Sequence, residues 1–262
     1  MSEIGSYRGI DMSLRIENVT TIYKNNKMKE IAIEDISLEI NKGEFVGVLG
    51  RSGAGKSTFI RSINQLVKPS KGKVFWNGID ITSLKGRSLR NIRLDIGMIF
   101  QQFHLIPRLT VLQNALIGSF GYRPLWKNIL GVFSKEEHEI ALNALRRVGI
   151  DHLADKRVDQ LSGGQQQRVA IARVIVQQPR LLLGDEPVAS LDPVTSNQVM
   201  TLIKDIHLAE KMTTIINIHD VTLALKYCDR IIGMSNGHIV FDGKPEEVDE
   251  NVLKEIYGEH MI

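Results

Sequence analysis

Three short stretches hold residues whose types and spacing suit chemistry on phosphate. Residues 50–57, G-R-S-G-A-G-K-S, match the phosphate-binding pattern G-x-x-x-x-G-K-[ST]. Gly50, Gly53 and Gly55 let backbone N–H groups approach phosphate oxygens, with Arg51, Ser52 and Ala54 completing the loop. Lys56 can neutralise the β- and γ-phosphates, Ser57 can ligate Mg²⁺, and Thr58 opens the helix that follows. The second stretch, L-L-L-G-D-E at 181–186, delivers Asp185 and Glu186 at the end of an apolar strand, where open α/β sheets place their chemistry. Asp185 can hold the metal, through water, and Glu186 can orient and deprotonate an attacking water. Such a set requires a nucleoside triphosphate with Mg²⁺ and points to its hydrolysis. A small-molecule kinase is the enzyme alternative, but no acceptor pocket or lid motif is visible in the chain.

The third stretch, S-G-G-Q at 162–165, fits a capping box, with Ser162 as N-cap and Gln165 reaching back. Gly163 and Gly164 leave N–H groups uncovered at a helix N-terminus, which favours an anion. A chain with one phosphate loop has no obvious need for this second phosphate-facing feature. If the 162–165 turn met the γ-phosphate from the opposite side, two chains placed head-to-tail would satisfy both features. The expectation is a symmetric dimer with two composite sites, an inference aided by the resemblance given below. Two single residues remain open on their own residue types. Gln101 follows the apolar run 96–100, and on its own a strand leaving the core is the favoured reading over a functional one. His219 ends the run 213–218 beside the phosphate site, with structural and functional roles evenly balanced.

The elements that must position these groups are legible from periodicity. Alternation over 14–22 and 31–40 predicts an N-terminal antiparallel sheet. F-V-G-V-L at 45–49 reads as a buried parallel strand feeding the loop, and a helix over 58–66 would point its positive end at the same phosphates. Asn-Gly pairs at 77–78 and 236–237 predict hairpins. Residues 107–133 read as an irregular insertion rich in aromatic and basic side chains. Such a stretch could stack single-stranded nucleic acid, but packing of an exposed insertion on a neighbouring protein is favoured. Ser134 with Glu137 forms another capping box, before a helix whose Ala141, Ala144, Leu145 and Val148 share a face. A helix should also run from 165 to 178. Asp192 can cap a helix with Pro193 in its first turn and Val199, Leu202, Ile203 and Ile206 on its buried face. The expected organisation is one α/β domain over 12–262. Its core spans 12–87 and 173–262, with a helical insert at about 88–172. Residues 1–11 read as a polar extension, with Met12 an alternative start.

Bulk composition limits the partners. Lys+Arg 33 against Asp+Glu 30 gives +3, too balanced and too dispersed to argue for nucleic acid. Cys228 is the only cysteine, which excludes an intrachain disulfide and a cysteine metal cluster and suggests a buried, inert thiol. No apolar run approaches the roughly 20 residues of a membrane helix, and the N-terminus lacks the apolar stretch of a signal peptide. The expected setting is a reducing cytoplasm, with any membrane link made through a partner.

From Met12 onward the chain closely resembles the ATP-binding cassette (ABC) ATPases. The resemblance rests on the order of Tyr23, the loop 50–57, Gln101 in I-F-Q-Q-F, L-S-G-G-Q at 161–165, L-L-L-G-D-E at 181–186, S-L-D at 190–192 and His219. It implies a P-loop NTPase nucleotide-binding domain of ABC type, with an N-terminal antiparallel β subdomain and an inserted helical subdomain. It further implies that Tyr23 stacks on adenine and that Gln101 senses Mg²⁺ and the attacking water. Ser162 and Gly164 would cap the partner's γ-phosphate, Asp192 would organise the dimer contact, and His219 would clamp the γ-phosphate. Residues near Gln101 and the 103–133 stretch would meet a permease. Within the family the chain looks most like ATPases of phosphonate importers, through F-Q-Q-F-H-L-I-P-R-L-T-V-L-Q-N, the insertion G-Y-R-P-L-W-K-N-I-L-G-V-F-S-K-E-E from Gly121 and D-E-P-V-A-S-L-D-P. Gly184 stands where the family commonly has alanine, and N-I-H-D-V-T-L-A is closer to generic cassettes. The resemblance implies a peripheral homodimer on the cytoplasmic face of the cell membrane. It would use ATP and Mg²⁺ and work with transmembrane permease subunits and an extracytoplasmic substrate-binding protein, without nucleic acid. The alternatives are the ATPase of another transporter (phosphate, amino acid, lipoprotein release or export) or a non-transport ABC ATPase. The latter usually carry paired cassettes or long coiled-coil insertions, and this chain shows neither.

Overall fold

The N-terminal alternation pairs as an antiparallel sheet. In the computed structural model, which describes residues 14–25 and 28–259, β1 (Leu14–Asn25) and β2 (Met28–Ile40) form a long hairpin. Both strands outrun the predicted ranges because ladder pairing continues through polar residues, Tyr23 against Glu30 and Lys24 against Lys29. The expected extension at 1–11 and Met12 lie outside the described residues. β3 (Phe45–Leu49) leaves this sheet, while β4 (Lys71–Trp76) and β5 (Ile79–Asp80) complete it in the order β2-β1-β4-β5.

β3 instead enters a six-stranded sheet with β6 (Ile96–Phe100), β7 (Leu181–Asp185), β8 (Thr213–Asn217), β9 (Arg230–Ser235) and β10 (His238–Gly243). The order is β10-β9-β3-β8-β7-β6, parallel throughout except for β10. β3, β7 and β8 are buried along their whole length, as strands covered on both faces must be. Phe45 and Leu49 face one core layer, Val46 and Val48 the other. Both predicted hairpins form, each on two residues of positive φ: Asn77 (51°) with Gly78 (76°), and Asn236 (48°) with Gly237 (82°). That is the backbone a tight two-residue hairpin needs.

Helices α1 (Lys56–Ile63), α2 (Gly86–Ile92), α3 (Val111–Leu116), α4 (Leu125–Leu130), α5 (Lys135–Arg147), α6 (Gly163–Gln177), α7 (Pro193–Glu210), α8 (Val221–Tyr227) and α9 (Glu250–Tyr257) fill the connections. α1 starts at Lys56, earlier than predicted, since the loop runs directly into the helix. Two expectations need correction. Residues 107–133 are mostly helical, because Thr110 and Gln113 form a full capping box that starts α3. The segment 88–172 is not uniformly an insert: β6 lies within it yet pairs along its length with β7 in the main sheet. α6 also runs past its end, packed against α3, α5 and α7. Val169, Ala170, Ala172 and Val174 are all buried, so α6 is a core helix enclosed on several sides. Cys228 is buried as predicted, and burial pushes its thiol up to about 12. No helix among the described residues is long and apolar enough to cross a membrane.

Candidate active site

Sheet register, more than any single motif, assembles the site. Phe100 pairs with Asp185, Asp185 with Asn217, and Asn217 with Val48. The residues that follow, Gln101, Glu186, His219 and the 50–57 loop, therefore emerge along one edge of the parallel sheet.

The loop is tightly built. Gly50 (φ 155°) and Gly55 (φ 97°) are required by their surroundings as well as by their backbone angles. A Cβ at Gly50 would fall 2.4 Å from the Met234 carbonyl oxygen, and one at Gly55 2.4 Å from that of Ala32. The β9–β10 turn braces the loop, with the Gly237 N–H donating to the Ala54 carbonyl at 3.1 Å. Arg51, Ser52 and Gly53 form its exposed crest, and Ser57 is half-buried at the first turn of α1. Lys56 is buried, and its Nζ donates to the carbonyls of Gly50 (2.7 Å) and Arg51 (3.0 Å). Burial lowers its pKa, opposed by the charges of Glu186 and Asp185, so the lysine and the acidic pair already sense each other. Tyr23, across from α1, places its hydroxyl 3.2 Å from Thr58 Oγ1 and keeps part of its ring exposed.

Asp185 is buried at the end of β7 with both oxygens engaged. Oδ2 accepts from Arg61 Nε at 2.9 Å and pairs with its terminal nitrogen at 2.8 Å, while Oδ1 accepts from Asn217 Nδ2 at 2.9 Å. Neither Arg61 nor Asn217 stood out in the sequence. Only their places, one turn beyond Ser57 and two residues before His219, hinted at proximity. Glu186 adopts φ 54°, a left-handed conformation costing roughly 1–2 kcal/mol for a non-glycine residue. The strand end thereby turns its carboxylate to His219, whose Nε2 lies 2.5 Å from Oε1.

A second cluster forms at the N-termini of α6 and α7. Ser162 Oγ accepts from the Gln165 N–H at 3.4 Å, and Gln165 Oε1 accepts from the Ser162 N–H at 3.1 Å. The first-turn N–H groups of Gly163 and Gly164 have no intrahelical acceptor. A Cβ at Gly164 would fall 2.7 Å from Thr195 Cγ2, so the turn packs directly on α7. Asp192 caps α7 by accepting from the Thr195 N–H at 3.0 Å, and those hydrogen bonds hold its carboxyl below the ordinary range. Among the described residues no hydrogen bond or ion pair joins this cluster to residues 50–58. The predicted residues therefore sort into two groups on one chain. One comprises Tyr23, the loop, Asp185, Glu186 and His219, with Gln101 on the neighbouring strand end. The other comprises Ser162 to Gln165 with Asp192.

The donors available to a cation in the first group are a hydroxyl (Ser57), a carboxylate (Asp185) and an amide oxygen (Gln101). This all-oxygen set fits Mg²⁺. Asp185 is already spent on Arg61 and Asn217, which suits contact through water. No group of three or more His, Cys, Asp or Glu side chains able to hold a metal occurs among the described residues.

The family described as ABC transporter matches residues 33–189. A phosphonates import ATP-binding protein of Wolinella succinogenes is 50% identical over 246 residues, covering 94% of this chain and 88% of that protein. A relative of the same description from Halalkalibacterium halodurans is 47% identical over 245 residues, covering 94% of each. Among solved structures, the dimeric ATP-binding cassette MJ0796 in a post-hydrolysis state bound to ADP and Pi superposes with a TM-score of 0.79 at 36% identity. It covers 88% of this chain and 98% of that one.

Proposed function

This chain belongs to the ABC transporter family, and we propose that it is the ATP-hydrolysing subunit of a membrane importer for phosphonate or a related phosphorus oxyanion. The observation that carries the substrate class is the 47–50% identity, over nearly the whole chain, to proteins described as phosphonates import ATP-binding proteins.

In this reading Tyr23 offers its ring to adenine, and residues 50–58 bind the phosphates through backbone N–H groups and Lys56. Ser57, Gln101 and, through water, Asp185 would hold Mg²⁺, which neutralises phosphate charge when bound. Glu186 takes a proton from water as the water oxygen bonds to the γ-phosphorus and the bond to the β–γ bridging oxygen breaks. His219, hydrogen-bonded to Glu186, keeps that carboxylate aimed and contacts the γ-phosphate. The left-handed strand end at Glu186 and the 2.5 Å contact support this pairing.

Ser162, Gly163, Gly164, Gln165 and Asp192 serve the site of a second copy. The dimeric form of the similar cassette supports a homodimer closed by ATP, as does the lack, among the described residues, of any hydrogen bond or ion pair joining the 162–165 turn to residues 50–58. Coupling runs to transmembrane permease subunits and, through them, to an extracytoplasmic substrate-binding protein, with the ATPase peripheral on the cytoplasmic face. A groove beside β6, lined by Arg90, Met98, Phe100, His104, Ile117 and Gly121, supports a permease contact. So do the exposed apolar side chains of α4: Leu125, Trp126, Ile129 and Leu130. No part of the mechanism uses nucleic acid.

Uptake of a radiolabelled phosphonate tests the substrate class. Deletion of this chain should abolish uptake, and the wild-type chain but not Glu186→Gln should restore it. Unchanged phosphonate uptake, with loss of uptake of an unrelated solute, would overturn the assignment.

A further inference from the structure

Arg173 lies in the C-terminal half of α6, half-buried beside the groove along β6. Burial alone pulls its guanidinium below the ordinary range, and no carboxylate among the described residues pairs with it. Its terminal nitrogens instead donate to two consecutive backbone carbonyls, that of His104 at 2.7 Å and that of Phe103 at 3.1 Å. A partly desolvated cation without a counter-charge needs compensation, and these carbonyl dipoles supply it.

Phe103 (φ 57°) and His104 (φ 45°) are both left-handed, an unfavourable pair that something outside the turn must hold. The same turn begins with Gln101. It touches α6 at a second point, since the Phe103 ring lies 3.9 Å from where a Cβ of Gly163 would stand. One helical turn after Arg173, Gln177 Nε2 donates to the carbonyls of Arg93 (3.1 Å), Leu94 (3.1 Å) and Ile96 (3.0 Å), at the entry to β6. Positions i and i+4 on one helix face thus grip both ends of the strand that leads to Gln101.

We infer that Arg173 is a positioning residue: its hold on the Phe103 and His104 carbonyls makes the placement of Gln101 follow the position of α6. The first turn of α6 is the Ser162–Gln165 cap. On the shared-site reading above, on which this inference rests, a phosphate gripped by that turn in one site is reported along the helix to Gln101 in the other. Positive cooperativity between the two sites follows without any contact between them.

The test uses Arg173→Met, which keeps the apolar stem and removes the donors, and Arg173→Lys, whose single ammonium replaces the planar fork poorly. For Arg173→Met, binding of a fluorescent ATP analogue to the monomer should be unchanged. kcat should fall by about 10- to 100-fold, the scale set by loss of positioning, and the Hill coefficient for ATP should drop towards one. Hydrogen exchange should quicken over 101–105 alone. Arg173→Lys should fall between the two proteins in every readout. Wild-type kcat and Hill coefficient in Arg173→Met would overturn the inference. Faster exchange spread through α3, α5 and α6 would also do so, because it marks a purely structural role. Ser162→Arg is assayed beside them: wild-type hydrolysis there would sink the shared site and its cooperativity. Local exchange and kcat would still report on the Arg173 clamp.

Discussion

Glu186 and Asp185 are adjacent in sequence yet work in opposite environments. Asp185 is enclosed and spends its oxygens on Arg61 and Asn217, so it stays fixed in place. Glu186 is hydrogen-bonded through Oε1 to His219, and among the described residues no other side chain hydrogen-bonds it. That division supports Glu186 as the proposed base. Replacing Glu186 with Gln preserves size and hydrogen bonding but removes proton acceptance. ATP binding should persist while phosphate release slows by about 10²–10⁴-fold, the usual worth of a general base. Phosphate release measured near the wild-type rate would remove Glu186 from that role. The acidic pair and the lysine were readable as residue types in a known spacing. Arg61 and Asn217 were not, since only sheet register and the docking of α1 bring them to Asp185.

At the level of elements, short-range signals mark where helices start, and packing decides which ones persist. Ser134, Ser162 and Asp192 cap their helices as their sequence patterns predict. Thr110 does the same for α3 in a stretch whose composition suggested irregular chain. Its loss in Thr110→Ala should cost about 1 kcal/mol, seen as a lower midpoint in urea, with ATP affinity unaltered. A midpoint equal to wild type would mean that packing on α6 alone sustains α3. His207 in α7 adds a pH dependence. Its Nδ1 lies 3.0 Å from Thr214 Oγ1, its ring meets Phe45 edge-on, and burial lowers its pKa. The unfolded chain therefore binds the proton more readily than the folded one. The stability this residue contributes is complete above the unfolded value of about 6.5 and is lost as pH falls through the lower folded value. Urea midpoints recorded against pH should decline on that acid side in the wild type and decline less in His207→Gln. Identical acid limbs would exclude His207 as the source.

For the whole molecule, the proposed homodimer makes the 162–165 turn and the 50–58 loop work on one nucleotide from two chains. Ser162→Arg should leave ATP binding by the monomer unchanged and abolish hydrolysis, because on the proposed shared-site reading the altered turn serves the other copy's nucleotide. A sharper test mixes that variant with Glu186→Gln. In a mixed dimer one site combines an intact Glu186 with an intact Ser162 turn, while the other contains both defects. The mixture should recover hydrolysis that neither variant shows alone, measured as phosphate release over a titration of the two. Absence of recovery, with mixed dimers shown to form, would place both groups in one chain's own site.

The sequence alone determined the chemistry and the local geometry. Loop glycines, helix caps and Asn-Gly turns act through contacts a few residues apart, so their residue types are nearly sufficient. It also announced two phosphate-facing features and, through their order, the family. Only the tertiary structure decided how these pieces meet. β6 belongs to the main sheet because its pairing with β7 outweighs its position within a mostly helical stretch. A short helix such as α3 is marginal in isolation and is fixed by packing on α5 and α6. The hold of α6 on both ends of β6 joins residues some seventy to eighty positions apart. Such contacts depend on where the chain returns in space, and no local pattern encodes that return.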